Sequence, residues 1–153
     1  YDVGGEFFLD VVASNREYVV YAAQSEQPRI VLFGRQMPVA RPVFYTESDD
    51  LITINAFKDS KELTVFRTLP QHKKFSDTFK LDFDVSTLVR TMGSAPRHGL
   101  DGKIMGLGLT YAQVVRVLHG MCEAGAINAK FVLQPIDEER TISERTTAVG
   151  RPD

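Results

Sequence analysis

Hydrophobic and polar side chains alternate along much of the first 85 residues, with the two-residue period of β-strands. In the clearest run, residues 79–85, apolar side chains alternate with Lys80, Asp82 and Asp84, which gives one apolar and one charged face. In residues 14–24, Ser14 and Glu17 could form a helix capping box, but the β-forming residues 18–21 favour a strand. Further strands are predicted over residues 7–13, 29–33, 43–46, 51–57 and 63–67.

Polar and proline-containing segments separate these strands. Residues 25–28 have the composition of a hairpin turn, so strands 14–24 and 29–33 are predicted to pair. Pro38 and Pro42 limit the segment between them to an edge or an irregular connection. Residues 47–50 and 58–60 are predicted turns, and residues 70–74 form a polar loop containing His72.

The period changes at residue 85. Val85, Leu88, Val89 and Met92 recur at helical spacing, which predicts a short helix that stops at Gly93. Residues 93–108 contain five glycines and one proline, so we expect a loop there.

A longer helix is predicted from Thr110, which is a good N-cap and forms a capping box with Gln113. Gly125 marks its end, and residues 129–134 have the composition of a short buried strand. We expect the apolar side of this helix to pack on the sheet. This apolar stripe comprises Tyr111, Val114, Val115, Leu118, Met121 and Cys122.

The order of elements, strands first and helices later, predicts an α+β fold with mostly antiparallel strands and with one short and one longer helix near the C-terminus. A length of 153 residues suits one domain with a substantial core. We expect residues 1–134 to form that domain. Residues 135–153 include few apolar side chains, and we expect them to form an exposed tail. Because the sequence begins with Tyr1, we interpret it as a fragment of a longer, exported protein.

Composition excludes several classes of partner. The net charge of −2 gives no overall attraction to nucleic acid or to anionic membranes. No apolar run approaches the ~20 residues that a membrane-spanning helix needs. The single cysteine, Cys122, cannot form an internal disulfide, and its place on the apolar side of a helix favours a core role over a reactive one.

No combination of residues predicts a catalytic centre or a metal site. His72, His98 and His119 lack the spacing of metal ligands, and His119 with Glu123 is typical of a pair on a helix surface. Asp82 and Asp84 are predicted on the solvated face of one strand, where a shared charge pattern is the simplest interpretation. We therefore expect no enzyme activity and no cofactor.

One motif leaves a different function open. The spacing Gly106-x-Gly108-x-x-Ala112 fits a loose dinucleotide-binding fingerprint. The fingerprint requires a preceding strand, but only residues 103–105 are available, and Gln134 stands where an acidic residue is expected. A nucleotide- or small-ligand-binding domain that uses the Gly106–Ala112 loop remains the alternative.

The C-terminal part of the chain resembles the C-terminal region of bacterial flagellar P-ring proteins. In that family a short helix with a Leu-Val pair precedes a second helix capped by Leu-Gly, and an Ala-Gly-Ala break leads to a final apolar strand. The looser upstream resemblance begins near residue 18. The matching runs here are Leu88-Val89-Arg90, Leu107-Gly108-Leu109-Thr110, Ala124-Gly125-Ala126 and Ala129-Lys130-Phe131-Val132.

This resemblance implies a non-enzymatic periplasmic protein of the flagellar basal body. Copies of such a protein associate in a ring around the rod and contact other basal-body proteins. The chain departs from the family in an extra loop at residues 93–106, in the extension 135–153, and in lacking the family's N-terminal part. The extra loop is a candidate partner surface, and the predicted partner-binding residues are Arg97, His98, Tyr111 and Arg116.

Overall fold

The computed structural model describes residues 1–24, 26–47, 52–68, 76–98 and 104–134. Among these residues, two helices occur in the second half of the chain, α1 (Val85–Gly93) and α2 (Tyr111–Glu123). The strands are β1 (Asp2–Val3), β2 (Phe7–Val12), β3 (Val19–Ala23), β4 (Arg29–Phe33), β5 (Val43–Thr46), β6 (Ile52–Ala56), β7 (Leu63–Thr68), β8 (Ser76–Leu81), β9 (Arg97–His98), β10 (Ile104–Met105) and β11 (Lys130–Gln134).

The strands form two main sheets. The first, called here the mixed sheet, has five strands in the order β1-β2-β4-β3-β11, and the second, the antiparallel sheet, has the order β5-β6-β7-β8. The predicted α+β class with mostly antiparallel pairing is confirmed, and β3 and β4 form the expected hairpin. Two pairings in the mixed sheet, β2 with β4 and β3 with β11, are parallel. They arise because β4 lies between β2 and β3, and because β11 returns to β3 after the helix α2.

The core is one continuous cluster of apolar side chains from both sheets and both helices. Alternate residues of the central strands enter it: Val20 and Ala22 of β3, then Ile30 and Leu32 of β4. Ile52, Ile54 and Ala56 of β6 do the same in the antiparallel sheet. The apolar stripe of α2 also enters the core, with Cys122 only partly buried at its side. The period-two pattern predicted for residues 51–57 therefore matches the buried face of β6.

The last part of the predicted strand 79–85 folds differently. Strand β8 ends at Leu81, and Asp84 becomes the N-cap of α1. Its Oδ2 accepts hydrogen bonds from the hydroxyl of Ser86 at 2.6 Å and from the amide of Thr87 at 3.4 Å. The prediction that Asp82 and Asp84 share one strand face is wrong, because an aspartate before a helix gains more by capping it than by continuing a strand.

The segment before α2 closes the C-terminal end of α1. The amide of Leu107 donates to the carbonyl of Thr91, and the amide of Leu109 donates to that of Met92. The amide of Gly108 donates to the carbonyl of Ser94, the C-cap residue. Carbonyls at the end of a helix have no partner within the helix, so this segment supplies what α1 lacks.

The predicted loop 93–108 contains regular structure. Strands β9 and β10 pair antiparallel, with Arg97 opposite Met105 and His98 opposite Ile104. The expectation of a loop is therefore wrong for these positions, where strand pairing satisfies backbone groups that a loop would leave exposed. The loop of His72 and the tail 135–153 lie outside the described residues.

Strand β11 is an edge strand. It pairs with β3 on one side, and its residues are half-buried or exposed. The strand itself was predicted, but the expectation that it is buried is wrong. A final strand that reaches the sheet after every other strand has paired takes a position at its margin.

Candidate assembly surface

Helix α2 is fixed at both ends by local hydrogen bonds. Thr110 Oγ1 accepts from the amide of Gln113, and the Gln113 side chain accepts from the amide of Thr110, which completes the predicted capping box. The helix closes with a Schellman motif, in which the amide of Ala126 reaches the carbonyl of Met121 and that of Gly125 reaches Cys122. Gly125 has a φ of 81°, which glycine adopts without strain. Both predicted boundaries of the helix are confirmed.

One side of α2 contacts the mixed sheet. The Tyr111 hydroxyl donates to the carbonyl of Ala23 at 2.9 Å, and its ring packs against Phe7 with centroids 5.7 Å apart. Burial, with a smaller effect from nearby Tyr21, raises the pKa of Tyr111 to about 12. Further along the helix, the His119 ring stacks on Phe131 of β11 at 4.7 Å. The helix is thus tied to both the interior and the margin of this sheet.

The opposite side of α2 contacts the antiparallel sheet through the end of β5. Tyr45 lies against Gly120, and Glu47 forms an ion pair with Arg116 at 3.5 Å. Glu47 was predicted at the start of a polar turn, and it is only 5% exposed because it follows the inward-facing residues Val43 and Tyr45. Desolvation, with a further contribution from Glu47, raises the pKa of Tyr45.

These contacts leave a narrow exposed stripe on α2, formed by Ala112, Arg116, His119 and Glu123. Edge strand β5 flanks the stripe on the side of Arg116, and edge strand β11 flanks it on the side of His119. We call the stripe and the two strands together the edge surface. It combines backbone edges with charged side chains, and Glu123 lies 3.1 Å from His119 within it, which is the helix-surface pair expected from the sequence.

The free side of β11 can be identified from its hydrogen bonds. The Lys130 amide donates to Tyr18, so Lys130 faces the sheet. Backbone groups alternate in direction along a strand, and those of Phe131 and Leu133 therefore face outward. No strand in the described part of the chain pairs with that side. Unpaired strand edges are ready templates for another extended chain.

The structure separates the four predicted partner-binding residues. Arg116 lies on the edge surface, whereas Tyr111 is 9% exposed and its hydroxyl contacts the core side of the mixed sheet. The backbone of Arg97 and His98 lies in β9. The contacts of Tyr111 and Arg116 involve different sheets, so these two residues do not form one site. Their role in partner binding stays a prediction.

The Gly106–Ala112 loop has the glycines of the fingerprint but uses them for packing. A Cβ at Gly106 would lie 2.6 Å from the carbonyl oxygen of Ser94, and one at Gly108 would lie 2.8 Å from the Pro96 ring. The amides of residues 107–109 already donate to carbonyls at the end of α1. A phosphate cradle needs free backbone amides at a helix N-terminus, and these three are occupied.

Other reactive groups are dispersed. Burial raises the pKa of the Cys122 thiol to about 11, which disfavours the reactive thiolate. Among the described residues, no group of three or more His, Cys, Asp and Glu side chains is arranged to hold a metal ion. Neither described helix has the length and apolar character required to cross a membrane.

Comparisons with protein-family models, with curated protein sequences and with solved structures each gave no match for this chain.

Sequence reasoning missed most of the edge surface. Tyr45 and Glu47 continue the alternation that begins at Val43, and this period was the available signal that Glu47 faces inward. The position of β11 at a sheet margin had no signal in its own apolar sequence, because strand order depends on which partners are already paired.

Proposed function

We propose that this chain is a non-enzymatic structural domain that associates with copies of itself in a ring-like assembly, in the manner of flagellar P-ring proteins. The proposal includes the periplasmic location and the basal-body partners that the resemblance implies. The resemblance supports the family, and the edge surface supports assembly as the activity.

The outward edge of β11 is the observation on which the proposal depends. A strand edge recognises another extended backbone through main-chain hydrogen bonds, whereas alternate side chains provide specificity. Leu133 adds an apolar contact here, since its side chain is 47% exposed. Proteins commonly blunt exposed edges with charges or bulges, and β11 carries only Lys130 as a charged residue.

The rest of the domain supports a role that requires a fixed shape. Helix α2 contacts both sheets, and the segment 107–109 connects it to the end of α1. A rigid body that presents its interface on ordered elements loses little conformational entropy when it associates. The edge surface is therefore preorganised for contact with a partner.

The test is the oligomeric state of the full-length protein, measured by sedimentation and by negative-stain electron microscopy. Wild type should form closed or extended oligomers. Leu133→Glu should raise the protein concentration needed for assembly at least tenfold, because a carboxylate at the contact must be desolvated. Phe57→Glu is the matched control for β11, since Phe57 is also exposed but follows β6 in the antiparallel sheet, where its ring contacts Phe44 of β5.

Two outcomes would count against the proposal. A wild-type protein that stays monomeric at every concentration would contradict self-assembly. Equal assembly by Leu133→Glu and wild type would show that β11 is not in the interface. Thermal unfolding of each variant shows whether a loss of assembly reflects a loss of folding.

The ligand-binding alternative has its own measurement. Titration with NAD or ATP, followed by calorimetry and by amide hydrogen exchange, should give no saturable binding, because the amides of residues 107–109 are already hydrogen-bonded. Saturable binding with protection of residues 106–112 would replace the structural proposal with a nucleotide-binding one.

A further inference from the structure

One face of the mixed sheet is apolar and lies opposite the helices. Tyr111 of α2 packs against Phe7, and Gly93 of α1 lies against Val3 and Phe7, whose side chains are buried in the core. Both helices therefore contact the core-facing side, and we call the other side the outer face. Strands β2, β4, β3 and β11 each place three side chains on the outer face, so its extent does not depend on how the edges of the sheet are paired.

The outer face is more apolar than the side of the antiparallel sheet that points away from the core. Eight of its twelve side chains are apolar, including Val19, Val31, Phe33 and Val132. The corresponding side of the antiparallel sheet carries threonine, asparagine or lysine at most positions, such as Thr53. Sheets that contain parallel pairs are usually covered on both faces, whereas antiparallel sheets often leave one face in water. The composition of the outer face thus indicates an interaction surface.

Most polar groups of the outer face are paired with one another. Asp10 forms an ion pair with Arg29, whose guanidinium also lies 5.3 Å from the centre of the Phe8 ring. The Tyr21 hydroxyl donates to the Gln134 side chain at 2.5 Å. Polar groups that already have partners cost less to remove from water than unpaired groups do. Burial of the outer face is therefore favourable over most of its area.

The size of the outer face suits contact with a second copy of the chain. Four strands about 4.8 Å apart, each with three outward positions about 6.8 Å apart, give a flat area on the order of 400 Å² once side-chain margins are included. Side chains make the accessible area larger than the flat area, so two such faces together would bury on the order of 1,000 Å². Specific interfaces between proteins begin at about this area.

Charge selects one relative orientation of the two copies. A two-fold axis nearly parallel to the strands, between β3 and β4, places β11 of one copy over β2 of the other and Val31 over Tyr21. Lys130, which is exposed at a corner of the outer face, then lies over Val12 of the other copy, one outward position from Asp10. An axis across the strands would instead bring the two Asp10 side chains together. The first orientation therefore gains an attraction where the second gains a repulsion.

We propose that two copies of this chain dimerise through the outer face of the mixed sheet, with Lys130 of each copy paired to Asp10 of the other. The contact is isologous, because both copies use the same surface, and it therefore ends at two copies. This inference goes beyond the proposed ring, which uses the margin of the sheet, and does not depend on it. Where both contacts form, they join two rings back to back.

The first experiment separates this dimer from the proposed ring. Leu133 pairs with buried Ala22, so its side chain points away from the outer face. In full-length Leu133→Glu protein, where the contact at β11 is weakened, sedimentation equilibrium should show a dimer. A Leu133→Glu monomer would overturn the inference, and larger wild-type assemblies would at the same time leave the proposed function intact. A dimer in both proteins would support the inference and contradict the ring.

Val31→Lys tests the centre of the outer face in the Leu133→Glu background. It should raise the dissociation constant of the dimer at least about a hundredfold, because each copy would bury an ammonium group without a partner. Thr53→Lys is the matched control, since it places the same charge on an inner strand of the antiparallel sheet and should change this constant by no more than about twofold. Equal effects of the two lysines would overturn the inference. Thermal unfolding checks that both variants fold.

Lys130→Glu tests the orientation at an exposed position, where the fold tolerates substitution. It should raise the dissociation constant at least about tenfold, because two carboxylates would meet at each corner of the interface. An unchanged constant would overturn the inference. Hydroxyl-radical footprinting gives a second readout, in which Tyr21 should be protected in the dimer and reactive in the Val31→Lys monomer. Protection of Tyr21 in that monomer would mean that another segment covers the outer face, and would also overturn the inference.

Discussion

Tyr45 of β5 lies directly against Gly120 of α2. A Cβ built on Gly120 would stand 2.0 Å from the Tyr45 hydroxyl oxygen and 2.7 Å from its Cζ. Glycine inside a helix normally lowers stability by about 0.5–1 kcal/mol relative to alanine. The missing side chain here is what allows the strand and the helix to approach so closely.

The close contact between Tyr45 and Gly120 reverses the usual effect of replacing a glycine by alanine inside a helix. Gly120→Ala should lower the free energy of unfolding, because Tyr45 must move out of its place even though alanine is the better helix former. The measurement is urea unfolding. In a Tyr45→Ala background, the same Gly120→Ala change should stabilise by about 0.5–1 kcal/mol. A stabilising effect in the wild-type background would contradict the packing described.

Leu118 should be among the most sensitive core positions. It is fully buried in the middle of α2, so Leu118→Ala should reduce the free energy of unfolding by about 2–5 kcal/mol. Phe57→Ala is the control at an apolar position that is 68% exposed and lies outside β11, and it should change this free energy by no more than about 1 kcal/mol. A Leu118 loss as small as that of Phe57 would mean that Leu118 does not face the core.

Gly5 and Gly106 both have a left-handed backbone, but an added Cβ would collide with neighbouring atoms only at Gly106. Comparing the two therefore distinguishes backbone strain from a steric clash. Gly5 has a φ of 74° with nothing within 4 Å of a built Cβ, whereas Gly106, at 92°, would place its Cβ 2.6 Å from a backbone oxygen. Gly5→Ala should cost about 1–2 kcal/mol, the strain alone. Gly106→Ala should cost clearly more, since the colliding atoms belong to the main chain. Thermal unfolding of both variants makes the comparison, and equal losses would rule out the collision.

Tyr111 should make stability sensitive to alkaline pH. Burial raises the pKa of Tyr111 from 10.0 to about 12, so its neutral form is favoured in the folded state. This contribution is complete below pH 10 and is lost as the pH rises from 10 to 12. At pH 7, Tyr111→Phe should cost about 1 kcal/mol through the lost hydrogen bond to Ala23.

The pH dependence distinguishes this role from simple packing. The stability difference between wild type and Tyr111→Phe should shrink between pH 10 and 12, because phenylalanine cannot ionise. Urea unfolding at pH 7, 10 and 11.5 provides the test. A difference that stays constant over this range would show that the phenol titrates as it does in the unfolded chain.

Local signals were sufficient to predict the helices and most strands. Thr110, Gln113 and Gly125 act through hydrogen bonds within a few residues, so their sequence order already contains the geometry. The alternation of residues 51–57 matches the inward face of β6 for the same reason. The strand predicted from alternation is wrong after Leu81, because Asp84 caps helix α1 and does not continue strand β8.

Long-range relationships could not be predicted in this way. Three contacts join segments that are distant in sequence. Strand β11 pairs parallel with β3, Glu47 is buried beside Arg116, and residues 107–109 donate hydrogen bonds to the end of α1. Each depends on which groups remain unsatisfied after local structure has formed. The edge surface is formed by such long-range contacts. For this reason, Arg116 is the one residue of the edge surface that was among the predicted partner-binding residues.

The place of β11 beside β3 has a consequence for biosynthesis. Tyr21 of β3 and Gln134 of β11 are 113 positions apart, so the ribosome must synthesise almost the whole described chain before the mixed sheet is complete. Until then, β3 itself is an exposed margin. Contacts so distant in sequence close slowly because of their loop entropy. A nascent or truncated chain that ends before residue 130 would thus expose a different, unfinished edge, which is a natural binding target for chaperones.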